Sequence, residues 1–256
     1  MRTVQRGDQA GLAEAAAALH AAGKVVALTG AGISVASGIP DFRSPGGLWT
    51  VFSPEEYATI EVFERNPAKA WELFRALGTV LVGKTPNAAH RALADLEALG
   101  LLAGIVTQNI DNLHQQAGSR CVFEIHGDHH HLQCLRCDSL VPVTADYYQS
   151  STLPLCEHCG TALKPNVVLF GEAVRDLEAI HAFVADCDLL LVIGTSAQVY
   201  PAAGLPSLVR QNGGRIVECN REAAQPLSGQ ADIFLAGAVE ETLPQLVAAC
   251  LSGSDQ

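Results

Sequence analysis

Residues 30–43 read GAGISVASGIPDFR and directly follow an apolar run at residues 24–29, KVVALT. The apolar run predicts a buried parallel strand, and the three glycines and the proline predict irregular backbone after it. Because glycine has no Cβ, a Gly-x-Gly after a strand allows a phosphate to approach the backbone closely. The third glycine, Gly38, comes later than in the plain dinucleotide fingerprint. The segment therefore indicates a nucleotide site, with a tight strand-to-helix turn as the structural alternative.

Apolar runs and helical patterns alternate along most of the remaining chain. Further strands are predicted at residues 102–106, 121–125, 188–193, 215–219 and 232–235, and helices at 8–23, 87–99, 174–185 and 240–251. This alternation predicts an α/β protein with a doubly wound parallel sheet. Five predicted strands run into small or polar residues, namely Gly30, Gln108, His126, Gly194 and Asn220. Open α/β sheets bind ligands beyond the carboxyl ends of their strands, so these residues predict one continuous site.

The composition limits the classes of partner. The chain has 256 residues, of which 48% are hydrophobic and 17% charged, enough for one large domain with a small insert. Its net charge of −11 argues against nonspecific binding to nucleic acid or acidic membranes. No secretory h-region is visible, and the longest apolar run, Leu189–Ile193, is too short to span a bilayer. We therefore expect a cytoplasmic protein without a nucleic-acid or membrane partner; its oligomeric state is not indicated.

Strand–helix alternation stops between residues 128 and 169, where two CxxC pairs occur. Cys134 and Cys137 form the first pair, and Cys156 and Cys159 follow after 18 intervening residues. This spacing predicts four thiolates around one tetrahedral Zn²⁺. Four cysteines leave no open position, so the metal is expected to be structural and to supply folding energy to an insert with little core of its own. Two surface disulfides are the alternative.

The other cysteines and the nearby histidines are interpreted as ordinary residues. Four cysteines lie in apolar patterns and are predicted core residues: Cys121, Cys187, Cys219 and Cys250. Four histidines lie close to the CxxC pairs and are interpreted as surface residues, with hydrogen bonding to the zinc ligands as the alternative: His129, His130, His131 and His158.

Taken together, the motifs resemble those of the sirtuins, NAD-dependent protein-lysine deacylases. The resemblance runs from about residue 24 to residue 244. Beyond GAGISVASGIPDFR and the CxxC pairs, it is carried by TQNID at 107–111, Leu113-His114, IHG at 125–127, VVLFGE at 167–172, GTS at 194–196 and VYP at 199–201. The family fold implies a Rossmann-like large domain, at residues 1–43, 86–127 and 170–256. It also implies a small domain with a helical module at 44–85 and a zinc module at 128–169.

The resemblance implies which residues bind NAD, the co-substrate. The phosphates and the adjacent ribose would contact Gly30, Ala31, Gly32 and Ser34 from one side and Gly194, Thr195 and Ser196 from the other. The adenosine would lie towards Asn220, Arg221, Glu222 and Val239. The nicotinamide and its ribose would contact Gln108, Asn109, Ile110 and Asp111. In the loop, Asp41, Phe42 and Arg43 would complete the set, with Phe42 covering the bond that breaks and Arg43 near the phosphates.

The catalytic residues implied by the resemblance are His126 and Asn109. The acyl oxygen of the substrate lysine would attack the ribose as nicotinamide leaves, and His126 would take a proton from a ribose hydroxyl. A histidine with a pKa near neutrality suits this task. The products would be free lysine, nicotinamide and 2′-O-acyl-ADP-ribose. Without the surrounding motifs, His126 would be interpreted as a hydrogen-bonded residue at a strand end.

The acyl-lysine site is implied at residues 168–172, so the expected partners are proteins or peptides that carry acetyl-lysine. Val168 would accept the acyl-lysine N–H with its carbonyl, and Phe170 would wall the alkyl tunnel. Gly171 and Glu172 would begin an edge that pairs with the peptide backbone.

The acyl group itself is expected to be neutral. Sirtuins that prefer succinyl or malonyl groups carry a Tyr and an Arg where this chain has Phe74 and Leu77. Burial of a carboxylate against these two side chains would be costly, because neither can pair with its charge.

Two other functions share much of this pattern. A protein mono-ADP-ribosyltransferase would use the same NAD residues, but it would not need an acyl-lysine tunnel at Val168 and Phe170. A non-enzymatic NAD-binding module would need the glycine loop, but it would not need His126 beside Asn109 and Asp111.

Overall fold

Two β-sheets organise the part of the chain that this computed structural model describes, residues 1–41 and 47–253. The strands are β1 (Arg2–Val4), β2 (Val25–Thr29), β3 (Gly104–Thr107), β4 (Val122–Glu124), β5 (Gly127–Gln133), β6 (Leu140–Pro142), β7 (Lys164–Val167), β8 (Leu189–Ile193), β9 (Arg215–Asn220) and β10 (Ile233–Ala236). The α-helices are α1 (Gln9–Ala21), α2 (Pro54–Tyr57), α3 (Ile60–Arg65), α4 (Pro67–Leu81), α5 (Ala88–Ala98), α6 (Leu113–Ala117), α7 (Ala145–Gln149), α8 (Leu177–Ala185), α9 (Leu205–Gln211) and α10 (Val239–Gly253).

The larger sheet is parallel throughout, in the order β1-β10-β9-β8-β2-β3-β4. Every residue of β2 and β8 is buried, as expected for strands covered on both faces. From β2 the chain builds outward to β3 and β4, and it later adds β8, β9 and β10 on the other side. The strand order therefore reverses between β2 and β8, at the switch point where such sheets bind ligands. This order confirms the predicted Rossmann-like α/β fold.

Helices cover both faces of the large sheet. On one face α1, α5 and α10 pack through apolar residues such as Leu19, Leu93 and Leu246. On the other face α8 and α9 pack through residues such as Val184 and Val209. Each of these side chains is almost fully buried, and burial of one such side chain contributes about 1.5–3 kcal/mol. The helices thereby leave the carboxyl edge of the sheet to the loops.

The smaller sheet is antiparallel, in the order β6-β5-β7. It shares one hydrophobic core with the helical segment, because Trp71 and Phe74 of α4 pack with Leu132 of β5 and Tyr148 of α7. The Trp71 indole N–H donates to Leu163 O at 2.8 Å. The helical and cysteine-containing segments are therefore packed against each other.

The structure differs from the sequence expectations in several short elements. Residues Ala31–Ser37 form a 3₁₀ helix rather than irregular backbone. It ends at Gly38, whose φ of 79° places it in the left-handed region, and the Gly38 N–H donates to Ser34 O and Val35 O. The edge strand β1 and the short helices α6 and α9 were not predicted, since three to seven residues are too few for a periodic apolar pattern.

Within the two described ranges, no helix combines the length and the apolar character needed to cross a membrane.

Candidate active site

The loops after β2 and β8 interlock at the switch point. Gly32 N–H donates to Gly194 O at 2.8 Å, and Gly30 N–H donates to Ile193 O at 3.1 Å. A Cβ on Gly32 would lie 2.7 Å from Gly194 O, and Gly194 itself has φ +58°. Glycine is thus required here for the contact between two loops. Because the amides of Gly30 and Gly32 already donate within the fold, these residues shape the expected phosphate site mainly by allowing this close approach.

Side chains from β3 and β9 hold the same edge together. Gln108 Nε2 donates to Thr195 Oγ1 at 2.9 Å, and Asn220 Nδ2 donates to Thr195 O at 3.1 Å. Asn220 also donates to Glu218 Oε1 at 2.8 Å, and Glu218 Oε1 accepts Ala224 N–H at 2.6 Å. The ends of β2, β3, β8 and β9 therefore meet in one hydrogen-bonded group, as the strand-end residues indicated. Glu218 is a buried carboxylate that sequence reasoning did not single out.

A buried group lies beside this edge, at Ser34, Asn109 and Asp111. Ser34 Oγ donates to Asp111 Oδ2 at 2.6 Å, and Asn109 Nδ2 donates to Ser34 Oγ at 3.1 Å. The backbone N–H of Leu113, at the start of α6, donates to Asp111 Oδ1 at 3.0 Å. Both oxygens of the carboxylate are therefore fixed. The resemblance grouped Ser34 with the phosphate residues, whereas its hydroxyl lies with the residues expected around the nicotinamide.

Two buried histidines, His90 and His114, lie next to the group formed by Ser34, Asn109 and Asp111. His90 Nε2 lies 3.4 Å from Ser34 Oγ, and His114 Nε2 lies 2.9 Å from Thr29 Oγ1. The two rings are 5.0 Å apart in an edge-on arrangement. Burial lowers the pKa of His90 to about 4 and the pKa of His114 to about 3, so both rings are neutral at pH 7. Sequence reasoning did not single out His90; its one signal was the Asn-x-x-His of a capping box at the start of α5.

His126 lies between β4 and β5, at the edge where the other strands end. Its Nδ1 lies 3.0 Å from Gln108 O. A carbonyl oxygen only accepts, so Nδ1 carries the proton and Nε2 is the basic nitrogen. Burial lowers the pKa of His126 below its ordinary value of 6.5, partly offset by the bond to Gln108. His126 is therefore a neutral base at pH 7, with its tautomer set by the backbone.

The segment 167–172 passes directly beside His126. Val168 N–H donates to His126 O at 2.8 Å. Phe170 pairs with the helical segment, since its N–H donates to Ala58 O and its carbonyl accepts Ile60 N–H, both at 3.0 Å. The Phe170 side chain is 47% exposed, and its ring centroid lies 6.3 Å from that of Trp49. Val168 and Phe170 are thus brought to the site together.

The side chain of Glu172 is largely buried, and the peptide edge that the resemblance implies concerns its backbone. Its Oε2 accepts Leu169 N–H at 2.7 Å and lies 3.1 Å from Lys164 Nζ. The carboxylate is directed into the protein, so only the backbone of Glu172 is available to pair with a substrate peptide. The preceding Gly171 has a φ of +91°.

The remaining residues expected to contact NAD are more dispersed. The Val239 side chain is 4% exposed and packs in the core of the large sheet, so a contact with adenine would have to come from its backbone. Arg221 lies on the surface with Nη2 3.6 Å from Glu240 Oε1, and Glu222 is exposed. Ile110 carbonyl accepts His129 N–H at 3.2 Å.

Three of the last five positions expected near NAD lie within the described residues. Ala31 begins the 3₁₀ helix, Ser196 is half-buried after Thr195, and Asp41 is half-buried. Phe42 and Arg43 lie outside the described residues.

The four predicted metal ligands come together. All four sulfur atoms of Cys134, Cys137, Cys156 and Cys159 lie within 4.8 Å of one another. The sulfur atoms of Cys134 and Cys159 are 3.4 Å apart and those of Cys137 and Cys156 are 3.6 Å apart, far longer than the roughly 2.05 Å of a disulfide. Four thiolates about 2.3 Å from one tetrahedral ion would be about 3.8 Å apart. The donor set therefore fits one structural Zn²⁺ and does not support the disulfide alternative.

Two of the interpretations of nearby histidines and cysteines need correction. His129 is buried rather than a surface histidine, with its ring centroid 4.1 Å from that of His130. Burial lowers the pKa of His129 to about 4. His158 is exposed, as expected. Cys187, Cys219 and Cys250 are core residues as predicted, whereas Cys121 is only partly buried.

Comparisons with known proteins agree with this geometry. The family model described as "Sir2 family" matches residues 30–201. The NAD-dependent protein deacylase 2 of Pyrobaculum aerophilum is 45% identical over 225 residues, which cover 87% of this chain and 89% of that protein. A solved Sir2 homologue–NAD complex has a TM-score of 0.86 at 38% identity, covering 99% of this chain and 97% of that chain. Sir2Af2 bound to a myristoylated histone peptide has a TM-score of 0.80 at 34% identity, covering 97% and 100%. The chain belongs to the Sir2 family.

Proposed function

We propose that this protein is an NAD-dependent protein-lysine deacetylase. It transfers an acetyl or other neutral acyl group from lysine to the ADP-ribosyl group of NAD, with uptake of one water and release of nicotinamide and free lysine. The observation that carries the proposal is His126: its Nδ1 is fixed by Gln108 O, and its own carbonyl is bonded to Val168, which begins the acyl-lysine segment. A protein that only binds NAD would not need a base held in this position. The names of the relatives and the NAD and peptide complexes of Sir2 structures support the same function.

The residues present fit NAD as a co-substrate. NAD supplies an ADP-ribosyl group joined to nicotinamide by a bond that can be broken. The loops at Gly32 and Gly194 approach each other closely at the switch point, where the phosphates would bind. Asn220 and the backbone at Val239 lie at the same edge for the adenosine. Arg43 would act near the phosphates.

The group at Ser34, Asn109 and Asp111 would bind the nicotinamide carboxamide. Asp111 is buried with both oxygens hydrogen-bonded, so its carboxylate has a fixed direction. A carboxylate accepts an amide N–H, whereas Asn109 can donate to a carbonyl or to the ribose. Gln108, held by Thr195, lies between this group and the phosphate loops and would reach the same ribose. Phe42 would exclude water from the bond that breaks.

His126 would act as the general base at Nε2. Its lowered pKa keeps this nitrogen unprotonated at pH 7, so that it can accept a proton from a ribose hydroxyl. The proton on Nδ1 stays on the ring and is donated to Gln108 O in a hydrogen bond, which also stabilises the imidazolium once Nε2 is protonated. Asn109 is a hydrogen-bond donor and would position the ribose rather than move a proton.

Modified-lysine peptides are the proposed partner. Val168 would accept the acyl-lysine N–H with its carbonyl, and the exposed Phe170 beside Trp49 would wall the alkyl chain. A neutral acyl group is favoured because Phe74 and Leu77 stand where dicarboxyl-preferring sirtuins carry a Tyr and an Arg, and neither can pair with a carboxylate. Arg75 is engaged elsewhere, since its guanidinium donates to the carbonyls of residues 150–152 at 2.7–3.2 Å.

One incubation tests the proposal. The purified protein is mixed with NAD and an acetyl-lysine peptide, and the products are identified by mass spectrometry. Free lysine peptide together with O-acetyl-ADP-ribose supports the deacetylase. ADP-ribosylated protein without deacetylation would indicate the transferase, and unchanged NAD would indicate a binding module. With His126→Ala, we expect deacetylation to be lost while NAD binding changes little.

A further inference from the structure

A fully buried lysine, Lys164, contacts residues 167–172, the proposed acyl-lysine segment. Lys164, the first residue of β7, is 0% exposed. Its ammonium donates to Val167 O at 2.6 Å and to Pro165 O at 3.4 Å, and lies 3.1 Å from Glu172 Oε2. An ammonium has three N–H donors, and these three oxygens match them in number.

A buried cation needs such partners. Removal of an ammonium from water is costly unless it is paired and hydrogen-bonded. Burial lowers the pKa of Lys164, and the Glu172 carboxylate opposes that shift. A leucine or methionine at this position would fill the core at less cost. The presence of a lysine at this buried position is therefore explained by the three oxygen atoms that its ammonium binds.

Glu172 lies at the other end of the segment 167–172 and binds the same lysine. Its side chain is only 19% exposed, and Oε2 serves both Lys164 and Leu169 N–H. The Glu172 N–H in turn donates to Leu169 O at 3.0 Å. The pair thus reaches from Val167 to Glu172 across the chain segment between them.

The geometry of one peptide group shows what this pair fixes. The Val167 carbonyl and the Val168 N–H belong to the same planar unit. Lys164 holds the carbonyl, and His126 O accepts the N–H at 2.8 Å. With both ends held, the plane of this group is set, and with it the start of Val168, whose own carbonyl comes next.

We propose that Lys164 and Glu172 are positioning residues for the acyl-lysine site. Their ion pair orients the 167–168 peptide group, so that the Val168 carbonyl is directed at the substrate amide. The inference rests on the proposed function, since that function assigns this carbonyl to the acyl-lysine N–H.

The test uses Lys164→Met, Glu172→Gln and the double variant of the intact protein. Met keeps the length of the side chain, and Gln can still accept Leu169 N–H. Lys69→Met is the matched control, because Lys69 forms an exposed pair with Glu56 at 3.5 Å. For each variant, kcat/KM is measured for an acetyl-lysine peptide and KM for NAD, together with thermal melting and zinc content.

We expect Lys164→Met to lower kcat/KM for the peptide by about 10- to 100-fold, the scale of a small misplacement at a reacting site. KM for NAD should stay within about twofold, since a positioning role acts on one substrate only. The kcat/KM of the double variant for the peptide should fall no further than that of Lys164→Met alone, because both changes break the same ion pair. Lys69→Met should behave as the wild type.

Other outcomes overturn the inference. One is a kcat/KM for the peptide that is unchanged in the double variant. This variant carries no unpaired buried charge, so it is expected to fold even where Lys164→Met does not. Another is a parallel change for NAD and peptide, which would show a general structural role. Additive losses would show that Glu172 acts independently of Lys164. If the wild type turns over no acyl peptide, the proposed function fails first, and this inference with it.

Discussion

The contact between the loops after β2 and β8 allows a quantitative prediction for Gly32→Ala. The added Cβ would lie 2.7 Å from Gly194 O and 2.8 Å from Gly194 Cα, which are backbone atoms. To reach an ordinary contact of 3.4 Å, the loops must separate by about 0.7 Å. Overpacking of this kind costs about 1–3 kcal/mol, and loss of the Gly32–Gly194 hydrogen bond adds about 1 kcal/mol. The smaller entropy of the unfolded chain offsets about 0.4–1 kcal/mol.

The net cost of about 2 kcal/mol corresponds to a decrease in Tm of about 4–8 °C for a chain of this size. Because the same loops form the expected phosphate site, the Kd for NAD should rise about tenfold or more. Calorimetric titration with NAD and a thermal melt measure the two effects. Gly204→Ala is the control, since its Cβ would lie 3.7 Å from the nearest atom, on Tyr200. If Gly32→Ala binds NAD and melts like Gly204→Ala, the structural role assigned to the interlocked loops is wrong.

Three further predictions concern the base, the metal and the acyl group. The proposed role of His126 requires its unprotonated form, and burial lowers its pKa. Activity should therefore fall with decreasing pH through an apparent pKa below 6.5, and a fall in kcat/KM with an apparent pKa above 6.5 would contradict this role. Removal of zinc by a chelator, or Cys134→Ser, should lower the Tm and abolish activity, and full activity of metal-free protein would exclude a structural role. An acetyl-lysine peptide should be turned over at least about tenfold faster than the matching succinyl-lysine peptide. The reason is that a buried succinyl carboxylate would lack a partner near Phe74. The reverse preference would refute the neutral-acyl assignment.

Much of the large sheet could be predicted from the sequence. The strands β2 and β8 are continuous apolar runs because helices cover both their faces, and such runs are visible without a structure. The strand-end residues Gln108, Gly194 and Asn220 do meet at one edge, since the carboxyl ends of parallel strands lie side by side. The CxxC spacing likewise predicted the cysteine cluster, because a short turn places two sulfurs on one ion.

The parts that could not be predicted depend on contacts between distant residues. Ser34 lies one turn after the glycine loop, yet its hydroxyl is bound to Asp111, which is 77 positions later. His90 looks like any residue of an amphipathic helix until α5 is packed against the loop that contains Ser34. Sequence distance alone gives no sign of these pairs.

Lys164 and Glu172 show the same limit at shorter range. A lysine at the start of a strand and a glutamate after a glycine are usually exposed. Only the turn at residues 168–171 brings the two charges to 3.1 Å inside the protein. The sequence therefore points to the proposed acyl-lysine segment, but it does not reveal the ion pair between Lys164 and Glu172.

The most direct test of the central proposal is the stoichiometry of the products. With NAD and an acetyl-lysine peptide, we predict that nicotinamide, deacetylated peptide and O-acetyl-ADP-ribose accumulate in equal amounts. Each turnover breaks one nicotinamide bond and moves one acetyl group, so the three product curves should coincide at all times. Release of nicotinamide without O-acetyl-ADP-ribose, or deacetylation without consumption of NAD, would contradict the proposal.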